Sequence, residues 1–317
     1  MTILGAAEIS SRSTGDRDPY PPGDAGGRLQ IATSDRERWE GARPAAVRAA
    51  SLALAALAAW FVLFAAFFSS LQEHGSQARL YAMYRSQLAN ETAPYQAPIP
   101  AGDPVALISI GRLGINHMVI VEGTTSRQLA DGPGHEIDTP LPGQVGTSVV
   151  MGRRLTYGGP FSGIGALREG DQILVTTAQG VFHYRVEDVG HPATTRPSPV
   201  ASGAGRLTLI TSSGGWLGPL TPAGAVYVDA VLASGGAQPV PAPLPSLTSA
   251  ARPMQGDRSA LVPLIFWLEG LAAAAALVAL GWWRWGRWQT WLVGLPVILA
   301  TCWGVSDSLM QFLPNLT

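Results

Sequence analysis

Five histidines, one cysteine and 21 arginines are the groups on which acid–base, nucleophilic or anion-binding chemistry could be built in this 317-residue chain. There is no lysine, so Schiff-base chemistry and a lysine nucleophile are excluded. The stretch Val149-Val150-Met151-Gly152-Arg153-Arg154 reads as a buried strand that breaks at a glycine and enters a loop through Gly158-Gly159-Pro160. That is a place where a strand hands a reactive side chain to a cleft. The side chains handed over are two arginines, which stay protonated near neutral pH and cannot act as a general base. A second strand, Arg206 to Thr211, ends at Ser212-Ser213. A serine hydroxyl becomes a nucleophile only when a neighbouring base takes its proton. His74, His117, His135, His183 and His191 are scattered, and no Gly-x-Ser-x-Gly elbow is present. The lone Cys302 falls in an apolar stretch, about 90 residues beyond Ser212. The histidines are not paired at ligand spacing, and one cysteine cannot build a zinc site or an intrachain disulfide, so no metal is expected. The glycines of Asp131 to Gly134 and of Gly163 to Gly170 follow no dinucleotide or phosphate-loop pattern, so no cofactor is expected either.

Short, turn-bounded strands must position these residues. Segments 105–110, 115–121, 147–151, 172–177, 180–189, 206–211 and 225–232 are β-branched or alternating, and Ala178-Gln179-Gly180 predicts a tight hairpin between two of them. About seven such strands with little helix between them argue for a compact β-barrel or sandwich of about 130 residues.

Within it, "GRLGINHMVIVEGTTSRQLADGPGH" (111–135), "TPLPGQVGTSVVMGRR" (139–154), "TYGGPFSGIGALREGDQILV" (156–175) and "RLTLITS" (206–212) resemble the sortase domain, nearest to its class E type. The resemblance covers about residues 104–233. It implies a mainly β fold, a closed sortase barrel of about eight strands on the outer face of a Gram-positive cell membrane. Sortases are cysteine transpeptidases that cleave a sorting signal such as LPxTG, hold the acyl group as a thioester and pass it to an amine. The family uses a His after a buried strand, a Cys at the end of "TLxTC", and an Arg about ten residues later. This sequence departs at all three: Arg153 stands at the His position, Ser212 at the Cys position, and the Arg place falls near Gly224 or Ala225, with no Arg between Ser213 and Ala251. The resemblance therefore implies a pseudo-sortase. Its barrel would bind a peptide or a cell-envelope protein as a scaffold subunit, through a groove around Arg153, Arg154, Ser212, Ser213 and His135. The alternative is a transpeptidase of altered chemistry that uses Ser212. Two readings of the arginines stand: they pair bidentately with an acidic ligand, or with local acids such as Glu169 or Asp171. His135 reads as a structural or loop residue.

Three apolar stretches surround this domain. Ala49 to Gln72 carries no charge, and its 20 or so apolar positions, at about 1.5 Å each, match a hydrocarbon core of about 30 Å. The 48 residues before it exceed the n-region of a cleavable signal, so we read a retained anchor at 49–71. Arg36, Arg38, Arg43 and Arg48 precede the anchor, which places the N-terminus in the cytoplasm and the following domain outside. Segments 260–283 and 288–306 form a helical hairpin whose turn holds Arg284 and Arg287 amid five tryptophans, an orientation that agrees with the first anchor. The last segment is short, so a re-entrant or buried helix is its alternative. Glu269 is the ionisable residue well inside a predicted span, and intramembrane carboxylates are functional suspects; packing on a helix or hydration near the interface is the other reading. Gly270 to Ala276 adds a small-residue face, so a membrane-protein partner could dock on these helices. Residues 1–47 read as a disordered cytoplasmic tail, 78–103 as a helix and linker, and 234–258 as a Pro-rich spacer. The net charge of −1 gives no ground for a nucleic-acid partner.

Overall fold

A computed structural model describes residues 47–190, 201–213, 224–241, 243–252, 255–284 and 286–316. The tail at 1–46, His191 and Trp285 lie outside the described residues. Residues 1–56 make one unit, whose described part, 47–56, is exposed helix. Residues 57–317 make the second.

Eight strands close into a barrel: β1 (Pro104–Ile110), β2 (Ile115–Glu122), β3 (Gly134–His135), β4 (Gly146–Met151), β5 (Gln172–Thr177), β6 (Gly180–Gly190), β7 (Gly205–Ser212) and β8 (Ala225–Ser234). Their order around the barrel is β1-β2-β3-β4-β7-β8-β6-β5. The β2–β3 and β4–β7 pairs are parallel and the others antiparallel. The predicted hairpin joins β5 to β6 with Thr177 opposite Gly180, whose φ of +135° suits glycine. Along β6, Phe182, Tyr184 and Val186 point inward while Val181, His183, Arg185 and Glu187 face solvent, the period of two expected of a half-buried strand. Their inward neighbours are Ile108, Ile120, Val150, Ile173, Val175, Leu207, Leu209 and Val228, the centre of the core. The closed barrel expected from the resemblance is what forms. The strand that periodicity did not reveal is β3, two residues held between β2 and β4.

β7 is buried along its whole length, so its outer face is covered as well as its inner one. Leu316, beyond the last helix, supplies part of that cover. Among the described residues, three helices are long and apolar enough to cross a membrane: α1 (Val47–Ala89), α2 (Leu261–Arg284) and α3 (Arg287–Phe312). α1 carries a π-helical turn at Phe64–Phe68 and continues without a break into the segment read as a separate helix after the anchor. Its later turns lie on the barrel. Gln77 donates from Nε2 to the carbonyls of Val119 (3.1 Å) and Asp131 (2.8 Å), and Tyr84 donates its hydroxyl to the Val105 carbonyl at 2.7 Å. α2 and α3 pack closely where glycine removes a side chain: a Cβ on Gly294 would meet Val278, and one on Gly304 would meet Trp267. α3 runs past the segment expected for it, through Asp307 to Phe312. Its last turns meet α1: Trp60 Nε1 donates to Ser306 Oγ at 3.2 Å, and Trp303 stands edge-on to Phe64 at 5.1 Å between centroids. The described part of the Pro-rich spacer is tied down: Thr124 Oγ1 donates to the Ala251 carbonyl at 2.6 Å and Gln238 bridges to Gln144. Glu269 lies on the exposed side of α2, as do Ala272, Ala273 and Ala276 one and two turns on.

Candidate functional site

β4 and β7 run side by side in parallel, with Met151 opposite Ile210. This pairing brings the two strand ends singled out in the sequence together. Gly152 is pinned to β7 from both sides: its N–H donates to the Ile210 carbonyl (3.0 Å) and its carbonyl accepts from Thr211 Oγ1 (2.9 Å). A Cβ at Gly152 would strike the ring of Phe161, which explains the glycine before the arginines. The loop is then closed by Phe161 N–H on the Arg153 carbonyl at 3.1 Å.

Arg153 and Arg154 have different fates. Arg153 does not face a groove; its side chain is fully buried. Its Nη2 donates to the Ser126 carbonyl at 2.9 Å and its Nη1 to Thr156 Oγ1 at 3.2 Å, while the guanidinium lies 4.9 Å over the Tyr157 ring. Burial pulls its pKa down to about 10, opposed by Tyr157 and Asp307. It therefore remains a cation at neutral pH and still cannot serve as a base. Arg154 reaches the cleft and donates from Nη1 to the Ser212 carbonyl at 3.2 Å. Of the two local acids expected to pair with these arginines, Glu169 and Asp171, Asp171 is engaged by Arg112 at 2.5 Å.

The cleft beside Ser212 measures about 380 Å³ and is lined by Arg154, Ser162, Gly163, Thr211, Ser212 and Ser213 among others. None of the described residues that line it is His, Cys, Asp or Glu. Near the place the resemblance gives the family's arginine, the Gly224 carbonyl accepts from Ser213 N–H (2.8 Å) and Ser213 Oγ (2.5 Å), and Ala225 sits opposite Ser212 across the β7–β8 pair. So Arg154, Ser212 and Ser213 are brought together, without a proton acceptor beside them among the described residues.

His135 is elsewhere. It is buried on β3 with Nδ1 2.9 Å from Glu122 Oε2, and its Nε2 donates to the Pro140 carbonyl at 3.0 Å. The space next to it is about 10 Å³, too small for a ligand group. This is a structural pair inside the barrel wall.

Residues that sequence reasoning missed surround Arg153. Tyr157 is fully buried at φ +51°, a strained conformation for a non-glycine residue, and Gly158 and Gly159 follow at +73° and +54°. The bend aims Tyr157 at the helices. Its N–H donates to Ser69 Oγ of α1 (3.0 Å) and its hydroxyl donates to Asp307 Oδ1 of α3 (3.1 Å). Burial, and then Asp307, push the Tyr157 pKa up, so the hydroxyl stays a donor. Phe64, Ala130, Tyr157 and Met310 close an apolar cluster around this point. No local motif marks Asp307 or Ser69 as partners of a loop 150 and 88 residues away.

A family model for the sortase domain matches residues 108–215. Among solved structures, the chain is similar to sortase E from Streptomyces avermitilis (32% identity, 43% of this chain and 91% of that one, TM-score 0.36). It is also similar to a Clostridium perfringens sortase D5 transpeptidase (23%, 50% and 99%, TM-score 0.41) and to a sortase C of that organism solved with the C-terminal cell wall sorting motif (22%, 50% and 89%, TM-score 0.38). No curated protein matches. The eight-stranded closed barrel and the matched sequence lead to one conclusion: the chain carries a sortase domain.

Proposed function

We propose that this is a catalytically silent, class E-like sortase-fold protein of the cell envelope, whose barrel serves as a peptide-binding scaffold on three membrane-spanning helices. The observation that carries the reading is the use made of the loop at 152–161. Where the family presents its histidine, this chain buries Arg153 under Tyr157, and Tyr157 joins the barrel to α1 at Ser69 and to α3 at Asp307. The loop that would move protons is employed as a joint. Chemistry supports the same reading: Ser212 lacks a base among the described residues of its cleft, and loss of a nucleophile or base from a catalytic triad costs on the order of 10⁶ in rate in a serine protease. Arg36, Arg38 and Arg43 before α1, Arg48 in its first turn, and Arg284 and Arg287 in the hairpin turn favour a cytoplasmic N-terminus and a barrel outside. A carboxylate facing lipid is costly, so Glu269 beside Ala272, Ala273 and Ala276 favours a partner helix with a basic or hydrogen-bonding group on that side of α2.

The cleft of about 380 Å³ beside Ser212 favours a second reading, a Ser212-dependent transpeptidase. A transpeptidation assay separates the two. The full chain in lipid nanodiscs is given LPxTG-type peptides and an amine acceptor, beside Ser212→Ala. The scaffold reading expects no transfer from either protein. Transfer by the parent that Ser212→Ala abolishes would establish the serine enzyme instead.

A further inference from the structure

The barrel's outer face next to Ser212 already holds a peptide, and the peptide is part of this chain. Side chains alternate along a strand, so Ser212 shares its face of β7 with Ile210, while Leu209 points into the core. Met151 on β4, Ile210 on β7 and Tyr227 on β8 stand in one row across three paired strands. With Leu129 and Ala225 they form an apolar seat outside the barrel core, and Leu316 fills it with no surface left exposed. Leu316 belongs to the short segment Leu313–Leu316 that follows α3.

Main-chain groups of the barrel domain and of the Pro-rich spacer hold that segment. Arg154 N–H donates to the Leu316 carbonyl at 3.1 Å, and the same Arg154 binds the Ser212 carbonyl through its side chain. Asn315 donates from Nδ2 to the carbonyls of Thr124 (2.8 Å) and Arg252 (3.0 Å), and its N–H donates to the Gln255 carbonyl at 2.8 Å. Main-chain bonds with a side-chain pocket are how sheets take extended peptides. Uncovered, the row of Met151, Ile210 and Tyr227 would be an apolar patch beside the strand end that carries Ser212, a surface that marks a binding site.

We infer that Leu313–Leu316 is a resident, displaceable occupant of the peptide-binding face formed by β4, β7 and β8, seated through Leu316. The inference deepens the peptide-binding reading above and rests on it. A peptide from another protein gains the site only when this segment leaves.

The test uses the full chain in nanodiscs and a fluorescein-labelled heptapeptide, Gln-Phe-Leu-Pro-Asn-Leu-Thr, followed by anisotropy. The parent should bind the probe at least tenfold more weakly than Leu316→Asp, which unseats the segment. Asn315→Ala, which removes two anchors and leaves the seat intact, should also increase binding. A probe whose second leucine is replaced by Asp should bind neither variant. Equal binding by parent and both variants would overturn the inference. So would absence of binding in the variants when proteolysis shows the segment released and the barrel folded. Cleavage of the probe by a variant, seen by chromatography, would overturn the silent-scaffold reading while leaving the seat standing.

Discussion

Tyr157→Phe is the most direct test of the joint between barrel and helices. The change keeps the ring beneath Arg153, the backbone bend and the contacts with Phe64 and Met310, and deletes one hydroxyl that donates to Asp307 at 3.1 Å. A hydrogen bond to a charged group contributes about 1.5–3 kcal/mol. Asp307 is half-buried and keeps Gln311 Nε2 on its other oxygen at 2.9 Å, so the lower end applies, about 1.5 kcal/mol. That corresponds to an increase of about 12-fold in the local opening equilibrium. Amide hydrogen exchange of residues 154–162, read in the full chain in nanodiscs, measures that opening. Exchange there should quicken by about tenfold, while the distant β5–β6 hairpin is unchanged. In an Asp307→Ala background the hydroxyl has no acceptor, and Tyr157→Phe should then add nothing. Exchange within twofold of the parent, or the same acceleration without Asp307, would refute the claim that this bond ties the loop to α3.

Gly159→Ala should destabilise the same loop by about 2–4 kcal/mol, because φ is +54° and the new Cβ would collide with the Arg154 carbonyl; chemical denaturation checks it. His135→Ala should destabilise the barrel by about 3–5 kcal/mol, since Glu122 would stay buried without its partner, and should leave probe binding to the Leu316→Asp variant unchanged. Glu136 has its pKa raised from 4.5 to about 7 by burial first and then by Asp138, against His135. A carboxyl raised on folding adds stability below pH 4.5 that is lost as pH climbs through 7, so unfolding free energy should fall across that window and Glu136→Gln should flatten it. Thermal melts of both proteins from pH 4 to pH 8 would decide this.

Local pattern carried most of the architecture. Period-two alternation in 180–189, the turn at Ala178 to Gly180 and the apolar runs at 49–71 and 260–283 depend on neighbours close in sequence, so strands, hairpin and helices could be read directly. The expectation that Arg153, Ser212 and the neighbourhood of Gly224 or Ala225 stand where the resemblance puts the family's His, Cys and Arg is a matter of residue type and needs no coordinates. What the side chains do there was not visible. Arg153 and Arg154 are adjacent and chemically identical, yet one is sealed against Tyr157 and the other opens on the cleft, because the loop after β4 turns Arg153 onto Ser126, Thr156 and Tyr157 and leaves Arg154 against Ser212 of β7. β3 is too short to have a period. Asp307 and Leu316 gain their roles only when the helical hairpin returns the end of α3 to Tyr157, 150 residues earlier in the chain, and to Ile210 on β7. Composition sets which contacts are chemically allowed; closure of the barrel and the fold-back of α3 choose among them.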